Sequence, residues 1–326
     1  IAQQLESHVK IRPNDTVLDI ASNDGTLLNS YTEKKLNLVG IDPTITQYKS
    51  YYPNGAYLSS DFFSRRIFEA VSPTKKAKAI SSIAVFYDVP DPARFMADVA
   101  SVLETNGVWV MEQSYLPLLV ADLSFDSICH EHLGYYCLKQ IEFAAENAGL
   151  RVFDAETNSM NGGSIRVFIC HAKSQHTTNE IALSKIAKLE AEAKLDDTET
   201  FKAFYTRVNE VGKKLLKILK NVKAAGKTVH IYGASTKGNV LLQLFGIDRK
   251  LIDAASERNE WKFGHRTPGT NIPIISEEAS RAQKPDYYLV LPWHFRNEFV
   301  EREQTFINNG GKFIFPLPNV EVYPAD

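Results

Sequence analysis

The sequence has few cysteines, no excess of positive charge and no long apolar run. Its 326 residues include three cysteines, which form neither a Cys-x-x-Cys pair nor a disulfide framework. This usage fits a reducing compartment, and we expect a cytoplasmic protein. The formal net charge of −2 leaves no basic surface for nucleic acid, so no nucleic-acid partner is expected. No apolar run approaches the ~20 residues that span a bilayer, so no membrane partner is expected either.

The composition is that of a globular chain with two α/β domains. Hydrophobic residues make up 44% of the chain and charged residues 23%, and domains usually hold roughly 100–200 residues each. Strand and helix patterns alternate in both halves, which predicts parallel sheets covered by helices. We place the domains at residues 1–176 and 225–326. The Lys-, Glu- and Ala-rich stretch between them, residues 177–224, is predicted to be a helical linker.

The first domain opens like a nucleotide-binding fold. Thr16–Ala21 is predicted to be a buried strand, Ser22–Gly25 a tight turn, Thr26–Lys34 a helix and Leu36–Ile41 a second strand that ends at Asp42. An acid at that point can hold a ribose diol. The turn lacks Gly-x-Gly-x-x-Gly, which disfavours a pyrophosphate. Its acidic character suits a cofactor with a cationic amino-acid end, such as S-adenosylmethionine, and a βα turn that binds no nucleotide is the alternative. The candidate cofactor-binding residues are Asp19, Ser22, Asn23, Asp24, Gly25, Asp42, Pro43 and Asp61.

The stretch Ser127–Tyr136 carries the residues best suited to acid–base chemistry. It contains His130, Glu131 and His132 in a row. Histidine takes up a proton near neutral pH, and a neighbouring carboxylate can orient the imidazole and stabilise its charged form. In an extended chain the two histidines would share a face. Two other interpretations are a pair of zinc ligands and a solvated polar loop, although the spacing is not the i, i+4 of helical zinc proteases.

The second domain also starts with a strand and a glycine-containing turn. The strand Lys227–Tyr232 leads into Gly233–Gly238, where Ser235 replaces the glycine that would admit a pyrophosphate. We therefore disfavour a dinucleotide, although Asp253, in the next predicted strand, lies 20 positions after the first glycine. The start of a helix favours an anion, and Lys237 adds positive charge there. The alternative is a tight turn with a solvated lysine.

Five segments, taken in order, resemble the sugar-nucleotide C-methyltransferases of deoxysugar and branched-sugar biosynthesis. They are Ser22–Gly25, Ile128–Tyr136, Gly162–Arg166, Tyr232–Asn239 and Thr267–Pro273. Arg151–Asp154 and Ser164–Cys170 are predicted to be two late strands that pair in antiparallel fashion. The resemblance implies a class I methyltransferase Rossmann-like α/β domain, followed by a second Rossmann-like α/β domain. It implies S-adenosylmethionine as cofactor and a nucleotide-linked keto-sugar as substrate. The family's four-cysteine zinc module is missing from this sequence, so no metal is expected.

The resemblance also implies a mechanism. His132 would remove a proton beside the 4-keto group of the sugar, Glu131 would position the substrate or tune the imidazole, and Tyr135 or Tyr136 would be possible donors to the enolate oxygen. The family has Tyr at the position of Cys129 and His at that of Asp88. The catalytic candidates are His132, Glu131, Tyr135 and Asp88. The substrate-binding candidates are His130, Tyr136, Gly233, Ser235 and Lys237. In the resembling family the second domain faces the substrate, so the resemblance implies that the diphosphate or the nucleoside of the sugar nucleotide could lie at Gly233–Gly238.

Two other functions remain open on the sequence. One is a methyltransferase acting on a different acceptor, with Asp88 replacing the family histidine. The other is a non-catalytic protein that keeps the fold for binding or assembly. The sequence does not determine the oligomeric state.

Overall fold

The structure, a computed structural model, describes residues 1–325. They form two compact units. The first contains residues 1–117, 133–159 and 163–192, and the second contains residues 118–132, 160–162 and 193–325. The chain therefore enters the second unit twice before its main part begins. The domain limits at residues 176 and 224 stay predictions.

The first unit is built on a mixed sheet. Within residues 1–192 its seven strands are β1 (Thr16–Ile20), β2 (Asn37–Ile41), β3 (Tyr57–Ser59), β4 (Ala77–Ile83), β5 (Leu103–Ser114), β6 (Leu150–Asn158) and β7 (Ser164–His171). Their spatial order is β3-β2-β1-β4-β5-β7-β6. The first five strands are parallel, and β7 is antiparallel to both β5 and β6. The predicted late antiparallel pair is therefore confirmed.

Helices connect these strands. In residues 1–193 they are α1 (Ala2–His8), α2 (Thr26–Asn29), α3 (Ile45–Tyr48), α4 (Arg65–Val71), α5 (Pro92–Val102), α6 (Leu116–Ala121), α7 (Leu138–Asn147) and α8 (Glu180–Ala193). Every residue of β1 is buried, as expected for a central parallel strand with both faces covered. The centre of the sheet thus holds the turn after β1 in a fixed place.

The helix predicted for Thr26–Lys34 was too long, because α2 ends at Asn29. The side chain of Tyr31 turns into the core, where it is almost fully buried. The backbone N–H and hydroxyl of Thr32 both donate to Glu6 Oε1. Such side-chain bonds compete with the helical ladder.

The second unit has its own sheet. Its six strands, among the described residues, are β8 (Val229–Tyr232), β9 (Ala254–Glu257), β10 (Ile274–Ser276), β11 (Tyr287–Val290), β12 (Lys312–Phe315) and β13 (Glu321–Tyr323). The order is β10-β9-β8-β11-β12-β13, and only β13 is antiparallel. The helices from residue 198 onward are α9 (Thr198–Ala224), α10 (Thr236–Phe245), α11 (Glu277–Ala282), α12 (Arg296–Arg302) and α13 (Gln304–Asn308). Two α/β domains were predicted, and the described residues form two sheets, one in each unit.

A strand predicted from the sequence at Leu251–Asp253 was wrong, because β9 starts at Ala254, immediately after the predicted strand ends. Asp253 precedes the strand. Its carboxylate accepts from the N–H of Val229 at 2.9 Å and from Lys223 Nζ at 2.8 Å. It therefore lies at the amino end of the sheet, whereas ribose-binding acids occupy the carboxyl end. Glu257 occupies that end instead.

The charged stretch before β8, predicted to hold one or two helices, forms α8 and α9. Along α9 the buried hydrophobic side chains follow a helical period, and they are Val208, Val211, Leu215, Leu219 and Val222. They pack in one core with β8, β11 and α10. Across residues 1–325, no helix is long and apolar enough to cross a membrane.

Candidate active site

The turn after β1 is held by the acid that follows β2. Asp42 is buried, and its Oδ2 accepts the backbone N–H of Asn23 at 3.1 Å. Its Oδ1 accepts both the backbone N–H and the hydroxyl of Thr44. The carboxyl ends of neighbouring parallel strands meet at one edge of the sheet, so the predicted Asp42 and Asn23 are brought together as expected.

Tyr52 completes this turn, and no motif in the sequence indicated it. Its hydroxyl donates to the carbonyl of Asn23 at 2.7 Å and pairs with Ser22 Oγ at 2.7 Å. Burial raises the pKa of Tyr52 to about 12. Gly25 has φ +75°, and a Cβ there would lie 2.7 Å from the Tyr52 ring. The turn thus requires a glycine at residue 25 for both conformation and space.

The other predicted cofactor residues differ in exposure. Asp24 Oδ1 accepts the N–H of Thr26 at the start of α2, while Pro43 and Asp61 are exposed. Asp19 is only 4% exposed and bonds Ser81 Oγ at 2.6 Å. Burial raises the pKa of Asp19 to about 7. Asp19 thus lies inside the sheet, beneath the turn.

These residues fit S-adenosylmethionine. An acid held at the carboxyl end of β2, with its Oδ2 on the N–H of Asn23, suits a ribose diol. The acidic side chain of Asp24 suits a cationic amino acid. No group of three or more His, Cys, Asp or Glu side chains in the described part of the chain is placed to hold a metal ion.

The His-Glu-His segment is a turn rather than an extended strand. The N–H of His132 donates to the carbonyl of Cys129 at 3.2 Å, which closes the turn. His130 consequently points outward, with 84% of its side chain exposed, and lies 4.0 Å from Glu131 Oε1. His132 is half-buried. The two histidines therefore do not share a face, because the two-residue spacing holds only in an extended chain.

His132 has the environment of a neutral imidazole. Burial lowers the pKa of His132, Lys237 lowers it further, and a hydrogen bond with the backbone of Ser127 opposes both. A neutral imidazole can accept a proton. The bond to Ser127 also orients the ring, because it engages one of the two ring nitrogens.

Asp88, Tyr135 and Tyr136 belong to the first unit, whereas His130, Glu131 and His132 belong to the second. Asp88 lies in a 3-10 turn, Phe86–Asp88, shortly after β4. The carbonyl of Tyr87 in that turn accepts the N–H groups of Leu133 and Gly134. The Tyr136 ring packs 5.1 Å from that of Phe86. The first unit therefore brings Asp88 close to the tyrosine segment.

The turn after β8 is closed by its own contacts. Ala234 N–H donates to Glu257 Oε2 at 3.1 Å, and Gly238 N–H donates to Ser235 Oγ at 3.1 Å. Gly233 has φ +83°. Lys237 is half-buried, and its Nζ donates to the carbonyl of Asn161 at 3.4 Å. The surroundings of Lys237 therefore differ from those of a solvated lysine. The prediction that this turn binds a diphosphate stays a prediction.

Three residues near Lys237 escaped the sequence analysis. Asp126 is 3% exposed, and its Oδ2 accepts from Trp293 Nε1 at 2.9 Å. Burial and then Lys237 lower the pKa of His294 to about 4. Asp126 and Trp293 are 167 positions apart in the chain, so only folding brings them together. A weak signal existed in Asp126, a charged residue four positions before the first histidine.

Two family descriptions match the chain. Residues 3–155 match a methyltransferase domain, and residues 159–318 match a C-methyltransferase C-terminal domain. Between them they take in most of the chain, including the turns after β1 and β8.

Two solved structures illustrate the structural comparison. A chain from the complex of the Haloferax volcanii Trm112 methyltransferase activator with a methyltransferase is 14% identical, with a TM-score of 0.43. The match covers 54% of this chain and 90% of that one. CalO1, a methyltransferase in calicheamicin biosynthesis, is also 14% identical, with a TM-score of 0.40 and 52% of each chain covered.

A curated relative matches over nearly the whole length. C-methyltransferase NovU of Streptomyces niveus is 31% identical over 319 residues, which is 98% of this chain and 76% of the relative. The match therefore extends through both units.

Proposed function

Because this chain belongs to the C-methyltransferase family, we propose that it methylates the carbon beside the keto group of a nucleotide-linked sugar. The family establishes the enzyme class and S-adenosylmethionine as the cofactor, so these two predictions and the methyltransferase α/β fold are confirmed. The keto-sugar acceptor and the enolate route are the proposal. Support for them comes from the chemistry of the residues around His132.

The first unit would hold the cofactor through the turn after β1. Asp42 would bind the ribose, and Asn23, Asp24 and Gly25 would line the amino-acid end. S-adenosylmethionine, when bound, supplies an electrophilic methyl group on a sulfonium. Hydrogen bonds with Asp42 and Tyr52 hold the turn in place, so little ordering is needed on binding.

His132 would act as the general base. It takes a proton from the carbon beside the keto group, the C–H electron pair forms the C=C bond, and the carbonyl π pair moves to oxygen to give the enolate. The low pKa of His132 keeps the imidazole neutral at pH 7, as a base requires. This half-buried, neutral and oriented imidazole, in a segment that resembles the sugar C-methyltransferases, is the observation that carries the proposal.

The remaining candidates would serve substrate binding. Burial raises the pKa of Tyr136, so its phenol stays protonated and can donate a hydrogen bond. Tyr135 and Asp88 lie in the same part of the first unit as Tyr136. Glu131 and His130 are exposed, and we propose that they contact the sugar or its nucleotide instead of taking the proton.

The test is an assay with purified protein, S-adenosylmethionine and a nucleotide-linked 4-keto-sugar. We expect a product heavier by one methylene that keeps its keto group, with the new methyl on the carbon beside it. A product methylated on oxygen or nitrogen would contradict the enolate route. Turnover of only another class of acceptor would support the alternative in which Asp88 replaces the family histidine.

His132→Ala should lower turnover by roughly 10²–10⁴-fold, because a positioned base contributes that factor. Cofactor affinity, measured by calorimetry, should stay unchanged. His176→Ala is the matched control, since His176 is a half-buried histidine of the first unit, outside the proposed site. If His130→Ala caused the larger loss, the base would be His130.

A further inference from the structure

A buried carboxyl in the second unit lacks a partner for one of its oxygens. Asp126 is 3% exposed, and Trp293 Nε1 donates to its Oδ2. Within residues 1–325, Oδ1 is buried and accepts no hydrogen bond. Burial raises the pKa of Asp126, while the hydrogen bond from Trp293, the charge of Lys237 and the backbone N–H groups of Asp126 and Ser127 lower it. A buried carboxyl with an unpaired oxygen is stabilised by a nearby cation.

Lys237 is that cation. It lies in the first turn of α10, and its bond of 3.4 Å to the carbonyl of Asn161 is the one hydrogen bond that its ammonium makes among the described residues. An ammonium has three donors. Burial lowers the pKa of Lys237, whereas Asp126 and Cys129 raise it. The lysine thus sits half-desolvated with donor capacity unused.

Two imidazoles share this environment. Lys237 lowers the pKa of both His132 and His294, in each case after burial as the main cause. Both rings are therefore neutral near pH 7. The Lys237 cluster, defined here as Asp126, His132, Lys237 and His294, combines one cation, one carboxyl and two neutral imidazoles.

The cluster is held by packing at Gly162. This residue has φ +85°, and a Cβ there would lie 2.7 Å from Ser124 Oγ and 3.2 Å from the Trp293 ring. Ser124 Oγ donates to the Gly162 carbonyl at 3.1 Å. Residues 160–162 thereby pack directly on Trp293, and the Asn161 carbonyl is held against Lys237.

We propose that Lys237 is a catalytic residue whose ammonium donates a hydrogen bond to the enolate oxygen that forms when His132 removes the proton. This rests on the proposed function. As the C–H pair becomes the C=C bond and the carbonyl π pair moves to oxygen, negative charge appears on that oxygen and the ammonium stabilises it. Fixed donors aimed at a developing oxyanion are among the largest contributions to catalysis. Asp126 acts as a positioning residue that keeps Lys237 protonated.

The surroundings favour an enolate over a diphosphate as the partner of Lys237. Two N–H groups of the turn are used internally, and one of them donates to the carboxylate of Glu257. N–H groups that are already paired cannot also bind a diphosphate. A desolvated ammonium with a lowered pKa is, in contrast, a strong donor to a single developing charge.

The experiment compares Lys237→Met and Lys237→Arg with Lys250→Met, an exposed lysine of the same unit. With S-adenosylhomocysteine in place of the methyl donor, mass spectrometry follows solvent deuterium entering the carbon beside the keto group at saturating sugar nucleotide. We expect Lys237→Met to slow exchange roughly 10²–10³-fold, Lys237→Arg to recover part of the rate, and Lys250→Met to match the parent. The Kd of the nucleoside diphosphate alone should be equal in all four proteins.

Asp126→Asn tests the positioning role through the pH dependence of the exchange rate, which a purely structural residue would not change. The carboxylate raises the pKa of Lys237, so its removal should shift the alkaline fall of the exchange rate to lower pH. Asn can still accept the hydrogen bond from Trp293, which keeps the packing. An unshifted alkaline limb would overturn the role of Asp126.

Two results would overturn the role of Lys237. One is exchange at the parent rate in Lys237→Met. The other is a weaker Kd for the nucleoside diphosphate with exchange at saturation unchanged, which would place the lysine on the diphosphate. Unchanged S-adenosylhomocysteine binding and unfolding temperature in each variant show that it is folded. A parent protein that neither exchanges nor methylates any keto-sugar nucleotide would refute the proposed function itself, and the role of Lys237 with it.

Discussion

The turns after β1 and β8 are built on the same device. In the first unit Asp42 Oδ2 accepts the N–H of Asn23 at 3.1 Å, and in the second Glu257 Oε2 accepts the N–H of Ala234 at 3.1 Å. Asp42 stands at the carboxyl end of β2, which pairs with β1, and Glu257 stands at the carboxyl end of β9, which pairs with β8. Each also accepts N–H groups from the loop that follows it. The two sheets thus hold their turns in the same way.

The surroundings of the two acids differ. Lys262 Nζ lies 3.2 Å from Glu257, so that carboxylate is neutralised. Asp42 forms no ion pair in the part of the chain that the structure describes, and its neighbour is the neutral phenol of Tyr52. With the same backbone arrangement, the carboxyl of Asp42 is therefore available to accept from a diol, whereas that of Glu257 is paired with Lys262. Topology alone does not make a cofactor site.

The first strands of the two sheets contrast in a second way. β1 buries an acid, Asp19, against Ser81 Oγ at 2.6 Å, and β8 buries a base, His230, against Ser280 Oγ at 2.8 Å. Burial raises the pKa of Asp19 to about 7 and lowers that of His230. Both shifts favour the neutral side chain, so the two units should respond to pH in opposite directions.

The largest expected effect is on the stability of the first unit. Because the folded-state pKa of Asp19 is raised from 3.8 to about 7, its contribution to stability falls as the pH rises through that range and stays low above it. The full loss is roughly 4 kcal/mol. Asp19→Asn should remove this loss, so thermal unfolding should show the variant more stable than the parent at pH 8 and not at pH 4.5. Equal pH dependence in both proteins would mean that Asp19 is not buried as an acid.

His230 sharpens the contrast. A base with a lowered folded-state pKa gives a contribution to stability that is present above the ordinary pKa of 6.5 and lost as the pH falls below it. His230→Gln should make the unfolding of the second unit less sensitive to acid, as followed by hydrogen exchange of β8 and β11. A variant that retained the parent's acid sensitivity would remove His230 as the cause.

The next effect concerns the cofactor. Asp42→Ala should weaken S-adenosylmethionine binding roughly 10- to 100-fold, since hydrogen bonds to a charged group contribute about 1.5–3 kcal/mol. Glu257→Ala, the matched change in the second unit, should leave that affinity unchanged. Calorimetry would measure the S-adenosylmethionine affinity of both variants. A loss in both, or in neither, would contradict the difference between the two acids.

The smallest effect should come from Tyr52→Phe. The phenylalanine keeps the ring packed at Gly25 but loses the hydrogen bonds to Ser22 and Asn23. We expect a loss of about 1 kcal/mol in stability and a few-fold weaker cofactor binding. Thermal unfolding and calorimetry would measure the two, and an unchanged affinity would show that Asp42 alone holds the turn.

The sequence by itself determined the two α/β sheets, the turn after β1 and its acid. These features depend on near neighbours in the chain. A buried strand such as β1 shows as a short, mostly apolar segment before a turn, and Asp42 is recognised because it directly follows the next strand. The helical period of α9 and the antiparallel pair of β6 and β7 were readable for the same reason. The end of α2 was not, because it depends on a bond from Thr32 to Glu6.

Only the tertiary structure decided which residues accompany these motifs. Tyr52 lies 29 positions from Asn23, and Trp293 lies 167 positions from Asp126. No local pattern encodes such pairs, because their hydrogen bonds depend on the path of the whole chain. The same holds for the histidines: His130 and His132 are alike in sequence, yet a turn exposes one and half-buries the other. Desolvation then sets the pKa of His132, and desolvation is a property of the folded surroundings.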